Sequence, residues 1–332
     1  KQKLEHPVLI DKFLENAIEV DVDALSDGED VYVAGVMEHI EEAGIHSGDS
    51  SCVLPPYSLP AETVAEIERQ TVALAKELRV VGLMNIQFAV KDGVVFILEV
   101  NPRASRTAPF VSKATGVPLP RLATQVMLGK TLKELDPWSM RRSGYVSVKE
   151  SVFPFRRFPG VDILLGPEMR STGEVMGIAP TFEEAFLKGQ WGAGQKLPEG
   201  GKVFLSVNDR DKRFVAEVAR QYVDLGFELL ATSGTAGLLA GQGIPSTRVL
   251  KVYEGRPNIV DLIKNGEVSL VINTASGKRT AHDSKAIRQA TLHYGVPYST
   301  TLSGAKAIAR AIGAARTTEV RVKSLQEYYK GE

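Results

Sequence analysis

One stretch constrains this chain more than any other: Asn85-Ile86-Gln87-Phe88-Ala89-Val90-Lys91-Asp92-Gly93-Val94-Val95-Phe96-Ile97-Leu98-Glu99-Val100-Asn101-Pro102-Arg103-Ala104-Ser105-Arg106-Thr107. Two apolar runs meet at an Asp-Gly turn, the pattern of an antiparallel hairpin. Polar groups sit where a core wants none, Gln87 in the first run and Glu99 and Asn101 in the second. Side-chain direction along a strand has a period of two, so Glu99 and Asn101 share one face. Oxygen ligands on a rigid face, with Arg103 and Arg106 just beyond, are what a magnesium ion carrying nucleotide phosphates needs. The plain alternative is a solvated strand face.

Loop length decides whether Gln87 joins that face. A two-residue Asp92-Gly93 turn pairs residue 87 with 98 and points Gln87 away from Glu99. A three-residue loop, Lys91-Asp92-Gly93 with glycine in the left-handed region, pairs 87 with 97. Gln87, Ile97, Glu99 and Asn101 then share a face, so the metal reading predicts the longer loop.

At 332 residues the chain is long enough for about two domains of roughly 100–200 residues each. Forty basic and forty acidic residues cancel, so no global field points to nucleic acid or an anionic membrane. Cys52 is the only cysteine, which excludes an intrachain disulfide and a cysteine-built metal site and suits a reducing, cytoplasmic setting. No apolar run approaches the ~18 residues of a membrane span. The start, Lys-Gln-Lys-Leu-Glu-His-Pro, lacks a signal-peptide core and a Met and runs directly into Val8-Leu9-Ile10. That is the look of a chain beginning inside a longer polypeptide.

Glu19-Val20-Asp21-Val22-Asp23-Ala24 alternates as a strand, and Asp27-Gly28 marks a turn before a second strand at Val31-Tyr32-Val33-Ala34. From Ala61 to Leu78 the period becomes helical, with Val64, Ile67, Thr71, Leu74 and Leu78 on one side. A helix is predicted over Leu119–Leu128; Tyr145–Phe155 and the loop-rich Phe158–Gly177 follow, and then a short helix over Thr181–Lys188. Gly192-Ala193-Gly194-Gln195-Lys196-Leu197-Pro198-Glu199-Gly200-Gly201 reads as a linker. Beyond it, strands are predicted at Val203–Val207, Glu228–Ala231, Arg248–Val252 and Leu270–Asn273. Helices lie between or after them at Asp211–Leu225, Ile259–Lys264, Ser284–His293 and Ala305–Ile312. That alternation predicts a doubly wound parallel sheet.

The run Glu99–Thr107, continued by Phe110-Val111-Ser112-Lys113-Ala114-Thr115-Gly116, resembles the large subunit of the carbamoyl phosphate synthetase family. So do the block from Met37-Glu38-His39-Ile40-Glu41-Glu42-Ala43-Gly44 to Ser50 and the block Gly166-Pro167-Glu168-Met169-Arg170-Ser171-Thr172-Gly173-Glu174-Val175-Met176-Gly177. The resemblance covers essentially the whole chain, as the C-terminal third of that subunit. It implies an α/β chain: an α+β ATP-grasp lobe with an antiparallel sheet over 1–191, a linker over 192–201, and a doubly wound regulatory domain over 202–332. It implies ATP as substrate and Mg2+ or Mn2+ held by Gln87, Glu99 and Asn101, with Glu99 and Arg106 catalytic. Lys12 and Leu14 would border the adenine, Glu19 would hold the ribose, and Gly44-Ile45-His46-Ser47 would form a loop at the nucleotide. Read alone, His46 is a loop histidine bonded to backbone and Arg103 a salt-bridge residue at a domain seam.

The implied reaction is phosphorylation of carbamate to carbamoyl phosphate, for pyrimidine and arginine biosynthesis, with a glutaminase small subunit as partner. Charge neutralisation then matters more than a general base. In that family a glycine-rich lid closes the site from a lobe lying before Lys1. An isolated chain is therefore expected to bind ATP weakly and to turn over negligibly.

In the second half, Ala231-Thr232-Ser233-Gly234-Thr235 follows a strand and opens a helix, Lys212 starts another, and Asn273-Thr274-Ala275-Ser276-Gly277-Lys278-Arg279 ends a strand. Polar groups at several strand ends converge on one crevice of a parallel sheet and suit a phosphate, although each taken singly reads as a capping turn. The region resembles the methylglyoxal synthase-like regulatory domain of the same family, which implies UMP or IMP held at Ser206, Lys212, Thr232, Gly234, Thr235, Lys251, Asn273 and Thr274. Ala275 and Lys278 depart from versions with threonine and arginine there. Glu41, Asp49, Glu150, Tyr298 and Thr300 match residues that hold ornithine in bacterial relatives, or else are ordinary acidic surface residues and their neighbours. A module that only binds effectors and assembles is the competing reading. Another ATP-grasp ligase, such as a biotin carboxylase, is disfavoured by the regulatory domain and the Glu38–Gly44 block.

Overall fold

A computed structural model describes residues 8, 12–158, 160–274 and 281–330. The alternating acidic segment forms β1 (Ile18–Asp27), which turns at Gly28 into β2 (Val31–His39). These strands join β3 (Cys52–Leu54), β4 (Val81–Lys91), β5 (Val94–Asn101), β6 (Val146–Val152) and β7 (Gly173–Ala179). Together they form a seven-stranded antiparallel sheet in the order β5-β4-β1-β2-β3-β6-β7. β7 begins at the end of the segment expected to be loop-rich.

On one face lies α1 (Ala61–Glu77), packed against β1 and β2 over Val20, Val22 and Val36. Its buried row is Thr63, Ile67, Thr71 and Ala75, a strict four-residue spacing rotated from the expected stripe. Leu78, expected inside, is 51% exposed just past the helix end. α2 (Ala108–Thr115), α3 (Leu119–Met127), α4 (Leu132–Leu135) and α5 (Pro137–Met140) follow β5. The apolar faces of α2 and α3 meet Leu25, Tyr32 and Met37 of the sheet. α6 (Phe182–Gly192) starts at Thr181, whose side chain accepts the Glu184 N–H, and runs past Lys188 to the glycine that opens the sequence-defined linker.

The β4–β5 register corrects the loop-length argument. Lys91 pairs with Val94, so the turn has two residues, with Asp92 at φ 51° and Gly93 at φ 77°. The pairing then shifts: Phe88 faces Ile97, but Gln87 faces Glu99, leaving Leu98 as an extra residue. This bulge restores the phase that the short turn would have lost. Gln87, Glu99 and Asn101 therefore share a face, while Ile97 leaves it.

The second sheet holds β8 (Lys202–Val207), β9 (Glu228–Ala231), β10 (Thr247–Arg248), β11 (Leu270–Thr274) and β12 (Tyr298–Ser299). All are parallel, in the order β10-β9-β8-β11-β12. Its helices are α7 (Val215–Asp224), α8 (Ser233–Gly241), α9 (Ile259–Lys264), α10 (Ala281–Tyr294) and α11 (Leu302–Thr317). α12 (Leu325–Lys330) packs on the first half, where the Tyr328 hydroxyl donates to the Ile178 carbonyl at 3.0 Å and the Tyr329 hydroxyl to the Lys113 carbonyl at 2.6 Å. Two expected elements are shorter. The helix over Asp211–Leu225 opens as a separate 3-10 turn over Asp211–Arg213. The strand over Arg248–Val252 pairs only through Arg248 before a bridge from Leu250 to Asn258 and a second 3-10 turn.

The two halves share one apolar core. Val148, Phe182 and Phe186 from the first belong to the same cluster as Leu205, Ile308 and Ile312 from the second. At the rim the Arg310 guanidinium lies 4.8 Å from the Phe182 ring centroid and donates to Glu183 at 2.9 Å. Among the described residues no helix is long and apolar enough to cross a membrane.

Candidate functional site

Strand pairing builds a grid of polar side chains across β1, β4 and β5. Asp21 faces Gln87, which faces Glu99; Asp23 faces Asn85, which faces Asn101. The opposite face of the same strands carries Val20, Val22 and Ile86 into the core. The grid lines a cleft of about 440 Å³, together with His46, Ser47, Arg103, Arg106 and Lys149.

The amides of this grid are oriented. The Gln87 amide donates to Ser47 Oγ at 3.1 Å, and the Asn101 amide donates to Glu99 Oε1 at 2.8 Å. Each spends its NH2 on a neighbour, leaving its carbonyl oxygen to accept. Two amide oxygens and one carboxylate suit a hard cation that keeps waters or phosphate oxygens in its remaining positions. Among the described residues no group of three His, Cys, Asp or Glu is placed to hold a metal ion, so a softer, all-protein site is not built here. The donor set thus fits magnesium or manganese.

Behind the grid lies a buried charged layer that the sequence reading did not single out. Asp23 accepts Thr107 Oγ1–H at 2.6 Å, Ser105 Oγ–H at 2.7 Å and the Asn85 amide at 3.1 Å. Burial raises its pKa to about 6 despite the hydrogen bonds from Thr107, Ser105 and Asn85, and nearby Asp21 adds to the rise. Asp23 thereby fixes the loop carrying Arg103 and Arg106, since Ser105 in turn accepts the Ala108 N–H at the start of α2. His39 meets Asp21 at 2.9 Å and faces Glu19 at 3.5 Å, an ion-pair distance without a hydrogen bond on that side. Burial opposes its charge, but Cys52, Asp21 and Glu19 outweigh it and hold the ring's pKa well above the ordinary value. The Lys149 ammonium, also buried, donates to the Ser50 and Ser47 carbonyls at 2.7 and 3.2 Å. The signal for this layer was available: Glu19, Asp21 and Asp23 recur at a period of two.

The other expected ATP residues divide. His46 and Ser47 line the cleft; Lys12, Leu14, Glu19, Gly44 and Ile45 do not. Glu19 accepts the Gly44 N–H at 3.1 Å, so it braces the nucleotide loop from beside the cleft. His46 Nδ1 accepts the Gly48 N–H at 3.0 Å, the backbone bond expected of a loop histidine.

In the second sheet the strand order reverses between β8 and β11, the point at which the carboxyl ends of a parallel sheet form a ligand-binding crevice. Ser206, Asn273 and Thr274 end those two strands, and Thr232 precedes α8. Thr232 makes no side-chain cap bond, leaving the first amides of α8 open. The Lys212 ammonium lies 3.4 Å from where a Cβ on Gly234 would sit, so a side chain there would crowd it. It pairs at 2.6 Å with Asp209, a 92% exposed carboxylate that an incoming anion can displace. Two buried polar atoms point to a ligand: among the described residues, Thr235 Oγ1 and Asn273 Nδ2 have no hydrogen-bond partner. Lys251 is half-buried, and its backbone N–H donates to Glu254 at 3.0 Å. Ala275 and Lys278 lie outside the described residues.

Between the halves, Ser51 Oγ lies 2.7 Å from Glu150 and 3.1 Å from Glu41. One hydroxyl proton cannot serve two carboxylates. Burial, reinforced by Glu41, lifts the Glu150 pKa to about 8, so its protonated carboxyl donates to Ser51 while Ser51 donates to Glu41. Tyr298 is near enough that Glu150, after burial, contributes to raising its pKa. Asp49 does not join this cluster. It is buried and accepts the Arg170 N–H at 2.8 Å and the Ser171 N–H at 2.8 Å. Thr300 is half-buried.

Comparison with known proteins gives the class first. The profile of the carbamoyl-phosphate synthase L chain, ATP binding domain, matches residues 4–135, and that of the MGS-like domain matches 215–300. The chain is thus an ATP-binding lobe followed by an MGS-like domain. The carbamoyl phosphate synthase large chain of Mesorhizobium japonicum is 54% identical over 333 residues, covering 98% of this chain and 28% of that protein. That of Archaeoglobus fulgidus is 55% identical over 327 residues, covering 98% and 30%. The chain belongs to the carbamoyl phosphate synthase large-chain family. It spans less than a third of the length of these relatives. Among solved structures, the biotin carboxylase domain of a single-chain bacterial carboxylase is similar with a TM-score of 0.44 and 16% identity, over 55% of this chain and 48% of that one.

Proposed function

We propose that the first lobe, residues 1–191, is one wall of an ATP site that phosphorylates carbamate to carbamoyl phosphate. The enzyme is a glutamine-dependent synthetase that serves pyrimidine and arginine biosynthesis in the cytoplasm. The observation that supports this most is the polar grid, whose Gln87, Glu99 and Asn101 line one cleft with Arg106.

Magnesium or manganese, when bound, supplies charge neutralisation for the phosphates. Gln87, Glu99 and Asn101 hold it. Arg106 pairs with the transferred phosphoryl group or the carboxylate receiving it, so two anions can approach. Carbamate is already an anionic nucleophile, and the site needs no general base. Lys12 and Leu14 border the adenine, Glu19 the ribose, and Gly44, Ile45, His46 and Ser47 close the loop. The opposite wall, with its lid, belongs to the remaining length of the large chain, and a glutaminase small subunit supplies ammonia. The isolated chain binds ATP weakly and turns over negligibly.

Residues 202–332, after a linker over 192–201, take UMP or IMP in the crevice of β8 and β11. Glu41, Asp49, Glu150, Tyr298 and Thr300 hold ornithine, the three acids facing its ammonium groups. A purely effector-binding module is the second reading, favoured by the unpartnered Thr235 and Asn273. Calorimetry of the chain with magnesium-ATP, UMP, IMP and ornithine separates the two. Weak but magnesium-dependent ATP binding that is lost in Glu99→Ala supports the catalytic reading. Carbamoyl phosphate formation by the isolated chain at the parent enzyme's rate overturns the division of the site between two walls.

A further inference from the structure

Arg288 of α10 lies 3% exposed between the two halves. Its Nε and Nη2 donate to the two carboxylate oxygens of Asp162, each at 2.6 Å, a fork that locks the guanidinium plane. Its Nη1 donates to Asn273 Oδ1 at 3.1 Å. Arginine has no acceptor, so the Asn273 atom facing it must be the oxygen. That leaves Asn273 Nδ2, buried and unpartnered, as a donor with nothing to donate to.

Asp162 belongs to a segment that reaches back to the ATP cleft. Gly166 O accepts the His46 N–H at 2.8 Å, and Asp49 accepts the Arg170 and Ser171 amides. The Asp162 carbonyl itself accepts from the Arg170 side chain at 2.8 Å. One continuous set of hydrogen bonds thus runs from Asn273 to the loop carrying His46 and Ser47.

We infer that Arg288 is a positioning residue: held by Asp162, it presents the Asn273 amide as a donor to an anionic ligand in the crevice, and so couples that ligand to the 162–171 segment and the nucleotide loop. This rests on the crevice reading above. A ligand that accepts from Asn273 draws the amide, and Arg288 holds the amide's other end. Coupling of this kind is reciprocal, so loosening Asp162 weakens the ligand.

The test measures UMP binding to the full chain by calorimetry and backbone hydrogen exchange over 162–171, for wild type, Asp162→Asn and Asp162→Glu. Expected are a five- to ten-fold loss of UMP affinity in Asp162→Asn, recovery in Asp162→Glu, and UMP-dependent protection of 162–171 in wild type that disappears in Asp162→Asn. A merely structural ion pair would lower stability without removing that protection. Equal UMP affinity and equal protection in wild type and Asp162→Asn overturn the inference alone. Absence of UMP binding in wild type overturns the crevice reading and this inference with it. If Asp162→Asn does not fold, Arg288→Lys, which keeps the charge and loses the fork, decides by the same criteria.

Discussion

The cleft on the antiparallel sheet and the crevice on the parallel sheet are both polar, but they offer opposite chemistry. In the cleft, Gln87 and Asn101 donate their NH2 groups to Ser47 and Glu99, which leaves their carbonyl oxygens to accept. On the parallel sheet, Asn273 accepts from Arg288 through its oxygen, and its buried NH2 has no partner among the described residues. Under the proposed function, identical amide groups serve a cation in one half and an anion in the other. Which end the protein consumes decides the ligand. In the cleft the partners are Glu99, two residues from Asn101 on the same strand, and the loop hydroxyl of Ser47, whereas on the parallel sheet the partner of Asn273 is a guanidinium from α10.

The largest break in this contrast comes from removing the cleft's carboxylate. Glu99→Ala in the complete synthetase is expected to lower carbamoyl phosphate formation about 10³-fold while leaving UMP binding unchanged, because preorganised charge at the transferred phosphoryl dominates such steps. Steady-state kinetics and calorimetry on one preparation check it. Activity within ten-fold of wild type removes Glu99 from the reaction.

Next in size is Glu150, which belongs to neither site but lies between them. Its folded pKa of about 8 exceeds the model-peptide value of 4.5. The folded state therefore binds the proton more tightly. Stability from this group is present below pH 4.5 and is lost as pH rises through 8. Glu150→Gln cannot ionise, so it is expected to match wild type near pH 4.5 and exceed it by about 4–5 kcal/mol near pH 9. Urea unfolding across that range measures the difference, and a pH-independent gap shows that Glu150 is not protonated in the folded state.

Asp23→Asn sharpens the cleft's side of the comparison. Three donors converge on this carboxylate, and an amide oxygen can keep fewer of them. The expected cost is about 2 kcal/mol at pH 7. Wild type should also lose stability as pH rises from 3.8 to about 6, a slope the variant lacks. A variant as stable as wild type at pH 7 would show that the Arg106 loop does not depend on Asp23.

How much of this was legible depended on whether the signal was periodic. The alternation at Glu19–Ala24 and the Asp27-Gly28 turn gave β1 and β2, and short strands alternating with helices gave the parallel sheet. The face shared by Gln87 and Glu99 was legible, but its mechanism was not. Asp92-Gly93 reads as a two-residue turn and is one, and that turn alone would have put Gln87 on the wrong side. The bulge at Leu98 leaves no mark in a run of Val, Phe, Ile and Leu, because every residue there fits a pleated surface equally well. The partners of Asp49, the Arg170 and Ser171 amides, were not legible because they lie more than a hundred residues away. The Arg288 fork was invisible for the same reason: Asp162 lies 126 positions earlier, in a segment read as loop.

The smallest expected effect tests the crevice through an opposition of signs. Thr235 Oγ1 is buried without a partner, a cost of about 1 kcal/mol or more in the free protein. Thr235→Val keeps the shape and removes the unsatisfied group. If the hydroxyl awaits a phosphate oxygen, the variant should be more stable than wild type by about 1 kcal/mol yet bind UMP about five-fold more weakly. Thermal unfolding without ligand gives the first number and calorimetry the second. A structural hydroxyl predicts the reverse pair, lower stability with unchanged binding. The crevice therefore makes a demand the cleft does not. Its polar atoms were left unpaired by the fold, so a substitution there should improve the empty protein at the expense of the filled one.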